Sequence, residues 1–251
     1  MGGIFMSLTQ QQAKEKIIVA LDVPTRAEAL DLVERLYDEV GAFKIGMQLY
    51  NAEGPDIVRD IQARGGKVFV DLKFHDIPNT VAEATRVITR RRAFIMTLHA
   101  AGGLKMLSAA AASAKETALS MGVDKPLVVA VTVLTSISQQ EFEEEIGIQR
   151  PIAEQVIAWA KMAQKAGLDG VVASPKEIAD IRKACGNDFV IITPGIRPLW
   201  AAANDQSRIM TPKEAVEAGS TYLVIGRPIT AQENQVEAAR RIVAEVMDAN
   251  I

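Results

Sequence analysis

The sequence predicts one α/β domain of the (β/α)8-barrel (TIM-barrel) class, on three observations. The chain has 251 residues, the usual size of one such barrel. Short apolar runs alternate with longer amphipathic stretches eight times along it. No linker, low-complexity tract or composition break interrupts this rhythm, so a single domain over 1–251 is expected, with 1–14 as a flexible leader.

The apolar runs lie at 17–21, 42–46, 67–72, 94–98, 127–133, 170–173, 189–193 and 222–225. Most are rich in Val and Ile and too short for helices, so they predict parallel strands buried on both faces. The stretches between them carry helical spacing. Leu30, Val33, Tyr37 and Val40 share one face of the first, and Val236, Ala239, Val243 and Val246 share one face of the last. Pro78, Pro151, Pro175 and Pro212 stand where helices should begin. Gly65, Gly66, Gly122, Gly167 and Gly219 stand where they should end. One departure is Thr89-Arg90-Arg91-Arg92-Ala93, where a helix-ending glycine would be usual. Two connections are long, 136–149 and 197–211, and long loops in compact domains tend to serve function. The acidic run Glu143-Glu144-Glu145 in the first reads more simply as a solvated helix face.

Composition narrows the function classes. Hydrophobic residues make up 49% and charged residues 24%, an ordinary globular balance. A formal net charge of −3 gives no reason to expect nucleic acid or an anionic membrane as partner. The single cysteine, Cys185, can form neither an internal disulfide nor a thiolate metal cage, and a cytoplasmic location is expected. No apolar stretch has the length of a membrane span, and the opening Met1–Met6 segment lacks the pattern of a signal peptide.

The polar residues that end the strands carry the functional information. Asp22 ends the first, Lys44 the second, Asp71 and Lys73 the third, and His99 the fourth. The C-terminal strand ends form the active face of this fold. Strand alternation puts Phe69, Asp71 and Lys73 on one face, which directs the two charges toward the barrel mouth. Four charges on three adjacent strands cluster where burial is costly, which points to a functional site over a structural network. Opposed charges keep the lysines cationic and the aspartates ionised. Such a set suits fixed charge presented to a substrate whose charge moves, and Lys73 can donate a proton to a developing carbanion. A zinc site from His75, His99 and an Asp is a weaker reading, because the lysines add unwanted positive charge; no metal is expected.

The seventh and eighth strands run into Thr193-Pro194-Gly195-Ile196-Arg197-Pro198 and Ile225-Gly226-Arg227-Pro228-Ile229-Thr230. These are the two loops that bind phosphate in many barrels of this class. Glycine bares backbone N–H groups, and arginine makes bidentate contacts to phosphate. A phosphorylated ligand is expected there; the 199–210 segment reads either as a lid from which Gln206 could touch the ligand or as a plain surface loop.

Together these residues resemble the bacterial type of the orotidine 5′-phosphate decarboxylase family. The resemblance runs from Ile17 to about Thr230 and rests on seven motifs. They are Ala20-Leu21-Asp22, Phe43-Lys44-Ile45-Gly46, Asp71-Leu72-Lys73-Phe74-His75-Asp76-Ile77-Pro78-Asn79-Thr80, Leu98-His99-Ala100, Val131-Thr132-Val133-Leu134-Thr135-Ser136, and the two glycine–arginine loops. The resemblance implies decarboxylation of orotidine 5′-monophosphate to UMP without metal or organic cofactor. It implies Lys44, Asp71, Lys73 and Asp76 as the charged tetrad, with Lys73 the proton donor. It implies a homodimer in which Asp76 and Thr80 serve the neighbouring subunit's site. Asp22 and Lys44 would hold the ribose, Ile77 would line the substrate site, and Thr135 or Ser136 would meet the pyrimidine. Gln206, Gly226 and Arg227, with Arg197 beside them, would hold the phosphate. The rivals are magnesium-dependent phosphosugar enzymes of the hexulose-phosphate synthase or keto-gulonate-phosphate decarboxylase type, a ribulose-phosphate epimerase, and a non-catalytic phosphoribosyl-ligand protein. The first two share the Asp-x-Lys-x-x-Asp spacing but not the Phe74–Thr80 continuation, and the epimerase needs histidine where this chain has Lys44.

Overall fold

In the computed structural model, which describes residues 7–201 and 210–250, eight parallel strands hydrogen-bond in chain order and close into a barrel. The strands are β1 (Ile17–Ala20), β2 (Ala42–Gly46), β3 (Val68–Phe74), β4 (Ile95–His99), β5 (Leu127–Val131), β6 (Gly170–Val172), β7 (Val190–Pro194) and β8 (Tyr222–Ile225). Each falls within two residues of a predicted run at its start. The (β/α)8 class is therefore the observed one. Two compact units divide the chain, Met1–Phe69 with Thr193–Ile251, and Val70–Ile192. The boundaries fall inside β3 and β7.

In the first unit, β1 pairs with β2 through Ile18–Ala42, Val19–Phe43 and Ala20–Lys44. It pairs with β8 on its other edge through Ile17–Leu223, Ile18–Val224 and Val19–Ile225. All four residues of β1 are buried, as an apolar run covered on both faces should be. The helices here are α1 (Gln10–Glu15), α2 (Arg26–Leu36), α3 (Met47–Glu53), α4 (Asp56–Gln62), and later in the chain α10 (Pro212–Glu217), α11 (Arg227–Thr230) and α12 (Gln235–Met247). Thr25 caps α2 by accepting from the Glu28 N–H, and Thr211 caps α10 in a capping box with Glu214.

The leader expected over 1–14 needs correction. Residues from Gln10 are helical in α1, opened by a capping box between Thr9 and Gln12. Leu8 and Ala13 are buried, and α1 packs against α12. Its polar composition hides an anchor. Lys14 donates to the Asp38 carbonyl at 2.6 Å, and neighbouring Glu39 accepts from Arg240 of α12 at 2.6 Å. The Arg240 hydrogen bond, against the opposing pull of burial, holds the Glu39 carboxyl below its ordinary range.

In the second unit the helices are α5 (Pro78–Arg90), α6 (Gly103–Met121), α7 (Gln139–Glu144), α8 (Ile152–Lys165) and α9 (Ile178–Cys185). β4 pairs with β5 (Thr97–Val129, His99–Val131), β5 with β6, and β6 with β7. Gly170 lets β6 approach β7 closely, since a Cβ there would stand 2.1 Å from the Val190 carbonyl oxygen. Pro78 occupies the first turn of α5 as predicted, and α6 ends at Gly122 in the left-handed conformation. The missing glycine after α5 has a physical counterpart: Arg92 itself adopts φ +57° and donates its N–H to the Thr89 carbonyl. The loop over 136–149 contains α7, capped by Ser138 and anchored by buried Phe142, with Glu144 and Glu145 exposed. That is the solvated helix face expected for the acidic run. Among the described residues, no helix is long and apolar enough to cross a membrane.

Candidate active site

In the first unit one charged group follows a strand, and the other, expected at a strand end, lies in the middle of one. Asp22 follows β1, and Lys44 lies in β2 with only 13% of its side chain exposed. Lys44 Nζ lies 3.3 Å from Asp22 Oδ1, and Asp22 itself is largely open to solvent.

The same unit holds the glycine–arginine loops. Gly195 turns the chain after β7 at φ +76°, and Gly226 turns it after β8 into α11, whose first turn carries Pro228. Arg197, Ala201, Arg227, Pro228, Ala231 and Gln232 line one cleft. Both arginines predicted for a phosphate thus face a common opening, and two lining residues, Ala231 and Gln232, went unrecognised in the sequence. They follow α11 in a stretch without a motif, and no local signal marks them. At the root of the expected lid, the Arg241 guanidinium of α12 stacks over the Trp200 ring, 4.1 Å from its centroid. Gln206 lies outside the described residues.

In the second unit β3 ends in an ion pair. Lys73 Nζ donates to Asp71 Oδ2 at 2.9 Å, and the two side chains are 28% and 13% exposed. Lys73 adopts φ +52°, so regular strand alternation stops before it, and side-chain contact, not strand parity, brings its ammonium to Asp71. Thr97, on β4, joins this pair. Its hydroxyl donates to Asp71 Oδ1 at 3.0 Å and accepts from the Lys73 N–H at 2.9 Å. Thr97 escaped the sequence reading because one hydroxyl in an apolar strand looks like an ordinary buried threonine. Its place two residues before His99, on the same strand face, was the available signal.

Beyond β3 the chain turns through His75 and Asp76 into α5. Asp76 Oδ1 accepts from the Ile77 N–H at 2.6 Å. Ile77 is 66% exposed, and Asp76 and Thr80 are exposed beside it. Thr135 and Ser136 are likewise exposed after β5. His75 and His99 do not converge as metal ligands would. Their rings stack with centroids 5.3 Å apart, and Trp159 meets His99 edge-on. His99 Nδ1 accepts from the Ala101 N–H. Burial, followed by the charges of His75 and Lys73, holds the His99 imidazole below its ordinary range. Among the described residues, no cluster of three or more His, Cys, Asp and Glu side chains is placed to hold a metal ion.

Comparisons with known proteins agree on one relationship. Residues 15–242 match the family model described as orotidine 5′-phosphate decarboxylase / HUMPS family. A protein of Syntrophomonas wolfei named orotidine 5′-phosphate decarboxylase is 55% identical over 236 residues, covering 94% of this chain and 99% of the relative. One of Heliobacterium modesticaldum with the same name is 53% identical, covering 94% and 98%. Among solved structures, the orotidine 5′-phosphate decarboxylase of Lactobacillus acidophilus superposes with a TM-score of 0.82 at 36% identity, over 92% of this chain and 98% of that one.

Proposed function

The chain belongs to the orotidine 5′-phosphate decarboxylase / HUMPS family, and from that premise we propose a cofactor-free decarboxylation in which Lys73 protonates the pyrimidine. The activity is that of a carboxy-lyase: orotidine 5′-monophosphate loses its carboxylate and UMP results, the closing reaction of UMP synthesis. The finer reading assigns Lys44, Asp71, Lys73 and Asp76 to the chemistry.

The chemical difficulty is a carbanion with no electron sink. The bond from C6 to the carboxylate breaks, carbon dioxide leaves, and the electron pair stays on C6. Lys73 then gives a proton from Nζ to C6 and recovers one from solvent. Asp71 lies beside Lys73 and repels the substrate carboxylate before it departs. A like-charge pair about 4 Å apart is worth roughly 4 kcal/mol at an effective dielectric of about 20. Enzymes typically supply about 8–23 kcal/mol, so repulsion alone falls short. The Lys73 ammonium at the developing carbanion, together with phosphate binding energy, must supply most of the rest.

The observation that carries this reading is the 2.9 Å contact between Lys73 Nζ and Asp71 Oδ2. It places a proton donor next to a fixed negative charge at a strand end, where the chemistry of this fold resides. Arg197, Gln206, Gly226 and Arg227 are assigned to the phosphate. Asp22 and Lys44 are assigned to the ribose, and Ile77 to the lining of the site. Thr135 or Ser136 is assigned to the pyrimidine. Exposed Asp76 and Thr80 are assigned to the site of a second subunit, which makes the active form a homodimer. The protein is proposed to work in the cytoplasm.

The magnesium-dependent phosphosugar rivals share the family name, but relatives at 50–55% identity carry the decarboxylase name. An ultraviolet assay of orotidine 5′-monophosphate with and without chelator separates the two. Loss of the substrate's absorbance in both conditions is expected. Chelator-sensitive turnover of a ketopentose phosphate, with no change in the pyrimidine, would replace this reading with the rival.

A further inference from the structure

We propose that Thr97 is a positioning residue that sets the geometry of the Asp71–Lys73 pair, an inference that rests on the function proposed above. Thr97 sits within β4 and is 1% exposed. A threonine hydroxyl has one proton and two lone pairs. Here both capacities are committed to the same two residues. The oxygen accepts the Lys73 N–H at 2.9 Å, and its proton goes to Asp71 Oδ1 at 3.0 Å.

The direction of that proton is fixed by chemistry. A backbone N–H can only donate, so it takes a lone pair of the hydroxyl. A carboxylate can only accept, so it takes the proton. With Oδ1 held by Thr97, Oδ2 is the oxygen left to meet Lys73 Nζ, which lies 2.9 Å from it. The carboxylate is thereby gripped at both oxygens and its plane cannot rotate freely.

The second contact acts on Lys73 itself. This residue occupies the left-handed region at φ +52°, which side chains other than glycine seldom adopt. Such a conformation persists only where the surroundings impose it. The Thr97 hydroxyl holds the Lys73 N–H in that conformation, and the ion pair holds the other end of the residue. One hydroxyl therefore fixes both the backbone that aims the proton donor and the carboxylate beside it.

The test compares Thr97→Val, which keeps shape and removes the hydroxyl, with Thr97→Ser, which keeps the hydroxyl. Turnover of orotidine 5′-monophosphate is measured beside the wild-type enzyme, with UMP binding used to count folded sites. Misplacing a reacting group by about an ångström typically costs on the order of 100-fold in rate. Thr97→Val should lower kcat per folded site by about 10- to 100-fold and change KM less than about threefold, since ribose and phosphate are held by other residues. Thr97→Ser should stay within about threefold of wild type in both constants. If Thr97→Val does not fold, Thr97→Ala carries the same expectation. Wild-type kcat in the hydroxyl-free variant overturns the proposal, and so does an equal loss in Thr97→Ser. A wild-type enzyme inert toward the substrate overturns instead the function on which the proposal rests.

Discussion

Lys73 reaches back to Asp71 across 2.9 Å from a backbone in the left-handed region. A residue of this kind costs about 1–3 kcal/mol to hold in place, and such strain concentrates at functional sites. The arrangement is therefore stabilised by the ion pair within β3 and, from outside the strand, by the Thr97 hydroxyl on β4. Two neighbouring strands thus share the task of presenting one ammonium.

Arg227 should matter for binding. It lines the same cleft as Arg197, and charge-assisted hydrogen bonds contribute about 1.5–3 kcal/mol each. Arg227→Ala should raise KM by roughly 10- to 150-fold and weaken UMP by a similar factor, while uridine, which lacks the phosphate, binds unchanged. Steady-state kinetics and calorimetry check this. A KM within twofold of wild type would remove Arg227 from the phosphate site.

Shared sites make a distinctive prediction for mixed subunits. Lys73→Ala and Asp76→Ala proteins should each be inactive alone. If Asp76 serves its partner, a hybrid dimer has one site lacking both groups and one site intact. Random subunit exchange should then restore about a quarter of wild-type activity. No recovery after verified exchange would place Asp76 in its own subunit's site.

How far these features were legible in the sequence depends on their range. The strands were legible because an apolar run bounded by turn residues needs no knowledge of its partners. The charged residues were legible because Asp22, Asp71 and Lys73 break those runs at one end and Lys44 interrupts another. Thr97 was not, because its importance lies in two hydrogen bonds to residues 24 and 26 positions away. Helix α1 was missed because Gln10, Gln11 and Gln12 look like a solvated leader, whereas burial of Ala13 and the Thr9 cap stabilise it. Arg92 falls between these cases. The absent glycine was visible, but its backbone consequence was not.

Arg92 offers a stability test remote from the charged strand ends. At φ +57° its side chain carries a conformational cost that glycine avoids. Arg92→Gly should gain up to about 1 kcal/mol, or roughly 2–4 °C in Tm for a chain of this size, with activity unchanged. Thermal unfolding followed by circular dichroism measures it. A lower Tm would show that the Arg92 side chain contributes more than its backbone costs.

Glu39 predicts a pH-dependent term. Chiefly through the Arg240 hydrogen bond, its folded pKa lies below the ordinary carboxylate value. A depressed folded pKa means stability that is present above the unfolded value and lost as pH falls through the folded one. Glu39→Gln should therefore destabilise the protein at pH 7 by on the order of 1 kcal/mol. The gap to wild type should close on acidification below the ordinary carboxylate range. Denaturant unfolding across pH checks the sign, and a gap that widens in acid would contradict it.

The central claim is that Lys73 delivers the proton to C6 beside the fixed charge of Asp71. Its most direct test is kcat for orotidine 5′-monophosphate in Lys73→Ala, with folding verified and UMP affinity measured in parallel. Removing a positioned proton donor should cost at least about 100- to 10,000-fold, and more if the ammonium also stabilises the carbanion. UMP binding should persist, because the residues proposed for the phosphate and the ribose are unchanged. Turnover within tenfold of wild type, in a folded variant that still binds UMP, would contradict the account.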